Sequence, residues 1–160
     1  MPQYIDSYYL VESRKLEVLC NFFAKYFPLG GKELATDYPF PQFSDHPEKV
    51  YYSVKELLLH LENNPDFEYT IYFENKERSS EIKQITLQYT DDGKMIFGLS
   101  MYGNDPSSIK SIQLFKEIKS YLNSKMACVT IEEPPPINSN EFISFCNERF
   151  VPDIESKFIS

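Results

Sequence analysis

A chain of 160 residues with 42% apolar and 25% charged residues has the composition of one ordinary globular domain, which argues against intrinsic disorder. Its net charge of −8 repels nucleic-acid phosphate and anionic lipid, both of which call for clustered Lys and Arg, and favours a basic partner. Cys20, Cys128 and Cys146 are widely spaced and form no CxxC, so neither a disulfide framework nor a structural zinc site is expected. The start has no secretory signal and no apolar run reaches membrane-spanning length, so the chain reads as cytoplasmic.

Taken in order, Tyr4 to Leu10 reads as a short edge strand or an extended arm. Over residues 12–27, Leu16, Leu19, Cys20, Phe23 and Phe27 recur at helical spacing, and Pro28 with Gly30-Gly31 stops the helix. Cys20 here, and Cys146 near the end, fall on apolar helical faces and are expected in the core. Residues 32–52 carry Pro39, Pro41 and Pro47 among aromatic residues. Proline removes backbone donors, so this stretch reads as a loop or an extended edge, pinned by Tyr38, Phe40 and Phe43, either a binding loop or a cover on the core. Ser53 with Glu56 has the spacing of a capping box, opening a helix over residues 54–62 with Val54, Leu57, Leu58 and Leu61 inward. Phe67, Tyr69, Ile71 and Phe73 alternate with Glu68, Thr70, Tyr72 and Glu74, a strand with one wet face.

The clearest local signal covers residues 82–102. Ile85, Leu87 and Tyr89 share one face of a first strand. Met95, Phe97, Leu99 and Met101 share one face of a second, and Asp91-Asp92-Gly93 supplies the hairpin turn. Asp105-Pro106 reads as the start of a helix whose buried stripe is Ile109, Ile112, Phe115, Ile118 and Leu122. Residues 127–131 form a β-rich run that ends in Glu132-Glu133 and three prolines. Asn138 with Glu141 looks like the cap of a last helix through Phe142, Phe145 and Cys146, and the tail from residue 152 is expected to fray. The expected fold is a single domain over residues 1–160, an α+β two-layer sandwich. It has a mainly antiparallel sheet of about four to five strands and helices packed on one face.

Chemistry is hard to find. There is no GxSxG, P-loop or GxGxxG. His46 reads as a turn residue and His60 as a helix-rim imidazole, and two histidines without a third ligand make a poor metal site. Lys94 stands where a calcium loop beginning at Asp91 would need an oxygen. Glu132 and Glu133, if on a strand, point to opposite faces and form no catalytic pair; they read as a solvated strand end or an acidic docking edge. No catalytic, cofactor-binding or metal residue is assigned, no cofactor is expected, and the chain is not expected to be an enzyme.

Asp37-Tyr38-Pro39, the helix over residues 53–61, Tyr69-Thr70-Ile71-Tyr72, Asp92-Gly93 with Gly98-Leu99-Ser100, and Glu132-Glu133-Pro134-Pro135-Pro136 together resemble a small bacterial immunity protein of a polymorphic or secreted toxin system. The resemblance implies a protein that binds one cognate toxin in the producing cell's cytoplasm and blocks its active site or its folding. Acidity fits such a role, because toxins that attack nucleic acid carry basic clefts. The candidate partner-binding residues are Tyr72, Glu74, Glu77, Asp91, Asp92, Glu132 and Glu133, on strand ends or the wet face. The expected partner is a basic protein, with no nucleic acid and no membrane, and the chain a monomer or weak homodimer. The alternatives are a self-associating adaptor that uses the wet face of the sheet, and a small-ligand binder or enzyme with a pocket under the 32–52 loop.

Overall fold

The strongest pattern in the sequence forms the middle of the structure. In the computed structural model, which describes residues 4–103, 105–131 and 133–151, the expected hairpin is β6 (Ile82–Tyr89) and β7 (Met95–Tyr102), with Tyr89 opposite Met95. Gly93 turns between them at φ 91°, a left-handed conformation that costs glycine nothing. Upstream, β5 (Tyr69–Asn75) pairs with β6 and completes the expected antiparallel meander.

The first strand corrects its expectation. β1 (Tyr4–Val11) is neither arm nor edge: it lies between β7 and β8 (Met126–Ile131), antiparallel to both. Seven of its eight residues are buried, so it is covered on both faces. Asp6 and Ser7 mislead in the sequence because both are buried polar residues inside the sheet, and Asp6 accepts a hydrogen bond from the Ser100 hydroxyl at 2.7 Å. The stretch read as a loop or an extended edge supplies three short strands: β2 (Gly31–Glu33), which joins the sheet as the edge strand beside β5, and the separate pair β3 (Tyr38–Phe40) and β4 (Lys49–Tyr51). The main sheet therefore has six strands in the order β2-β5-β6-β7-β1-β8, all antiparallel, more than the four or five expected.

Four helices lie among the described residues: α1 (Leu16–Tyr26), α2 (Val54–Asn63), α3 (Ile109–Tyr121) and α4 (Ser139–Asn147). The first three cover one face. Leu19, Phe22, Leu57, Leu61, Phe115 and Ile118 join Tyr9, Ile71, Ile85, Leu87 and Phe97 in the larger core. The expectation that helices occupy one face fails at α4. Its Phe142 and Cys146 cover Tyr8, Leu10, Ile96 and Cys128 on the opposite side, a second and smaller core. Alternation in β1 and β7 puts two apolar sets on two faces, and each set needs a cover.

Helix starts were legible in part. Asn138 caps α4 as expected, accepting from the N–H groups of Asn140 and Glu141 at 2.9 and 3.2 Å. Ser53 occupies the N-cap position of α2 but makes no side-chain capping bond. The start of α3 falls at Ser108 rather than Asp105, because Asp105 is engaged by the N–H and hydroxyl of Ser107 while the Ser108 hydroxyl accepts from the Ser111 N–H. Ile109, expected inward, is exposed. Cys146 is buried as expected, whereas Cys20 is exposed, since Leu19 and Phe22 set the buried centre of α1.

Candidate partner-binding surface

The face of the sheet opposite α1–α3 is only partly covered. Cross-strand register arranges its side chains in rows. One row reads Lys32, Glu74, Gln84, Ser100, Asp6, Thr130; the next reads Tyr72, Thr86, Gly98, Tyr8, Cys128. Gly98 is where a strand residue without a side chain matters. A Cβ there would stand 2.7 Å from the Tyr8 ring, so the missing side chain is the space the ring fills. Burial, and then the Asp6 carboxylate, push the Tyr8 phenol well above its usual range, so it stays protonated.

The segment after β8 crosses part of this face, from the Thr130 end of the strands to the β6–β7 turn. The Thr130 hydroxyl donates to the Glu133 carbonyl at 2.9 Å, and the Gln88 side-chain amide to the Pro136 carbonyl at 2.8 Å. Asn138 donates to Asp91 at 2.8 Å, and Ser139 to Asp92. α4 then runs back, and Arg149 grips both Glu133 oxygens at 2.7 Å. The Val129 N–H donates to the Phe150 carbonyl at 2.8 Å, covering the edge of β8.

These contacts locate the candidate residues. Tyr72 and Glu74 lie two apart on β5, exposed on the open face. Glu77 is half-buried in the turn after β5, its N–H bonded to Asn75. Asp91 and Asp92 lie at the opposite end of β6 and anchor the start of α4. Partial burial pushes the Asp92 carboxyl up, but hydrogen bonds from Ser139 and Thr90 outweigh it and hold it below its usual range. Glu133 is lowered by Arg149. Glu132 lies outside the described residues. The structure thus groups Tyr72 with Glu74 and gives Asp91, Asp92 and Glu133 internal partners.

The more pronounced surface feature borders β5 on its other side. Residues 34–44 are sewn onto that strand. The Gln42 side chain copies a strand's pairing, donating to the Thr70 carbonyl and accepting from the Thr70 N–H, both at 2.8 Å. The Leu34 N–H reaches the Tyr72 carbonyl at 3.3 Å, and the Tyr69 hydroxyl the Pro39 carbonyl at 2.8 Å. The Phe40 ring packs edge-on against Phe67 at 4.8 Å. Tyr38 and Phe40 pin the segment as expected, but Phe43 does not: its side chain is 89% exposed. It stands between two hollows of about 300 and 280 Å³, both of which it lines together with Gln42 and Thr70. Ile137 and Glu68 complete the first hollow, and Leu34, Asp37 and Tyr72 the second. Leu34, Tyr72 and Ile137 are themselves substantially exposed. The sequence signal for this feature was an aromatic flanked by polar residues inside a proline-rich stretch, which cannot tell a pinned ring from a projecting one.

A separate open cleft of about 460 Å³ lies between the β5–β6 turn and α3. Its lysines are engaged: Lys83 with the Arg78 and Ser80 carbonyls, Lys110 with Glu81. Among the described residues no group of three His, Cys, Asp or Glu could hold a metal ion, and no helix is long and apolar enough to cross a membrane.

In class, then, this is an α+β protein built on a six-stranded antiparallel sheet, with helices on both faces and an exposed aromatic at one sheet edge. No protein-family model and no curated protein matches the chain by sequence. Among solved structures it is similar to a chain in the crystal structure of the toxic C-terminal tip of CdiA from Pseudomonas aeruginosa in complex with immune protein. The similarity has a TM-score of 0.50 at 16% identity and covers 95% of this chain and 99% of that one. It is a likeness of fold.

Proposed function

We propose that this protein is a non-catalytic binder that neutralises a cognate toxin by stoichiometric docking in the cytoplasm of the cell that makes both. The observation that carries this reading is the whole-chain likeness to a chain of a complex between a toxic protein tip and its immune protein. Both components of such a complex work with a protein surface, so the likeness favours a protein partner. The net charge of −8 favours the neutralising role, because an acidic inhibitor associates fast with a basic toxin and suits its cleft. The exposed aromatic on a pre-ordered segment supplies a contact of the kind that dominates protein interfaces.

The test is co-expression. The reading expects a toxin domain encoded next to this gene, and that domain should arrest bacterial growth when expressed alone. Expression of this protein alone should leave growth unchanged, and the two together should restore it and co-purify at one to one. Growth arrest by this protein alone, or no rescue and no complex, would overturn the reading.

A further inference from the structure

Resting on that reading, we infer that the toxin docks at the outer edge of β5, with Phe43 as the anchor. The bound surface should present apolar side chains to the two flanking hollows and Lys or Arg around them. Four observations converge. Among the described residues Phe43 is the most exposed of the large hydrophobic side chains, yet its backbone belongs to a segment tied to β5 by the paired Gln42–Thr70 bonds, so less backbone ordering remains to be done on binding. A hollow lies on each side of it, so a partner has something to insert as well as something to cover. Leu34, Tyr72 and Ile137 extend the apolar area. Around it stand exposed carboxylates: Asp37 and Glu68 line the hollows, with Glu33, Asp45 and Glu74 nearby in the chain or on the same strand. An apolar centre within an acidic rim fits a basic protein surface and suits neither nucleic acid nor an anionic membrane.

The same geometry says how the partner does not bind. A free edge strand invites another chain to add a strand. Here the Thr70 N–H and C=O are taken by Gln42 and the Tyr72 C=O by the Leu34 N–H, so that part of the β5 edge is already satisfied. Docking therefore runs through side chains. This also explains the use of Gln42: it closes the edge without adding a strand that would bury Phe43.

The experiment measures binding of the toxin domain encoded next to this gene, silenced in its active site, to three variants. Phe43→Ala should weaken binding by about 30-fold or more, mostly through faster dissociation, while thermal unfolding stays at the wild-type midpoint. The pair Asp37→Lys with Glu68→Lys should slow association and flatten its salt dependence. The pair Glu17→Lys with Glu56→Lys, an equal charge reversal at exposed positions of α1 and α2, should bind within about 2-fold of wild type. Amide exchange should slow on binding at residues 34–44 and 68–72. Wild-type binding that survives both Phe43→Ala and the double reversal, or protection confined to α1–α3, would overturn the surface and leave the function standing. Failure of the wild type to bind would remove both. Concentration-dependent dimers of the free wild type that Phe43→Ala abolishes would assign the patch to a second copy of this chain and overturn the proposal.

Discussion

Arg14 and His60 show how much this fold asks of single side chains. Arg14 is buried just before α1, and its guanidinium donates to the carbonyls of Leu61 and Asn64 at 3.1 Å, Phe67 at 3.0 Å, Lys94 at 3.5 Å, and Thr90. It also lies 5.4 Å from the Tyr89 ring centroid. One planar cation thus ties the end of α2, the approach to β5 and the turn between β6 and β7. Burial lowers its pKa, with Tyr89, Asp92 and Asp66 working against that, and a guanidinium starts so far above neutral that it stays charged. Arg14→Met would leave those carbonyls unpaired in a closed site, and an unfolding loss of about 3–5 kcal/mol is expected in urea titration. His60 behaves oppositely. Its ring lies 4.6 Å from Phe40, edge-on, and 5.8 Å from Phe67, stacked, and its Nε2 is buried without a hydrogen-bond partner among the described residues. Burial, and then Lys49, hold its pKa below 6.5. The unfolded chain therefore takes up a proton near pH 6.5 that the folded chain refuses. The stability that neutral His60 contributes is present above pH 6.5 and is lost as pH falls below it. Thermal midpoints measured from pH 7.5 to 5 should drop, and His60→Phe should flatten that drop.

Among the elements, legibility follows how clearly local residues mark a segment. The hairpin β6–β7 was plain because Asp91-Asp92-Gly93 marks its turn and Ile85, Leu87, Tyr89 and then Met95, Phe97, Leu99, Met101 keep a two-residue period, even though β7 is buried on both faces. β1, also covered on both faces, has no such turn beside it, and Asp6 and Ser7 find their partners only in the folded sheet. β2, β3 and β4 are three residues each, too short to show alternation, and the prolines in and around them obscure what remains. The cap of α4 was legible because Asn138 bonds to groups two and three residues away. The start of α3 was not, because Ser107 competes for Asp105. Of the candidate site, Tyr72 and Glu74 came from strand periodicity, but Phe43 depends on how residues 34–44 fold back on β5, a contact no local pattern encodes. The placement of α4 carries its own prediction. The Tyr8 ring is held between Gly98 and the smaller core, so Gly98→Ala would push Cβ into it. An overpacking loss of about 1–3 kcal/mol is expected, read as a lower urea midpoint with an unchanged slope.

At the scale of the molecule, two electrostatic effects of opposite sign should appear in one salt series. The free protein carries a net charge of −8, while its ion pairs are mostly exposed ones such as Lys94–Glu12 and Lys110–Glu81, each worth little. Self-repulsion is therefore the larger effect in the free protein, and salt relieves it. Between 0.01 and 0.15 M the screening length falls from about 30 Å to about 8 Å, shorter than the span of the domain. The melting midpoint of the free protein should rise by about 2–4 °C over that range, the shift that ~1 kcal/mol produces in a chain of this size. The same charge that destabilises the isolated fold would draw in a basic partner, so association with the proposed toxin partner should slow over the same range. Differential scanning calorimetry and stopped-flow mixing in matched buffers separate the two. A melting midpoint that falls with salt would mean that the exposed ion pairs outweigh the repulsion. A rate of association indifferent to salt would mean that the acidic rim around Phe43 takes no part in the encounter.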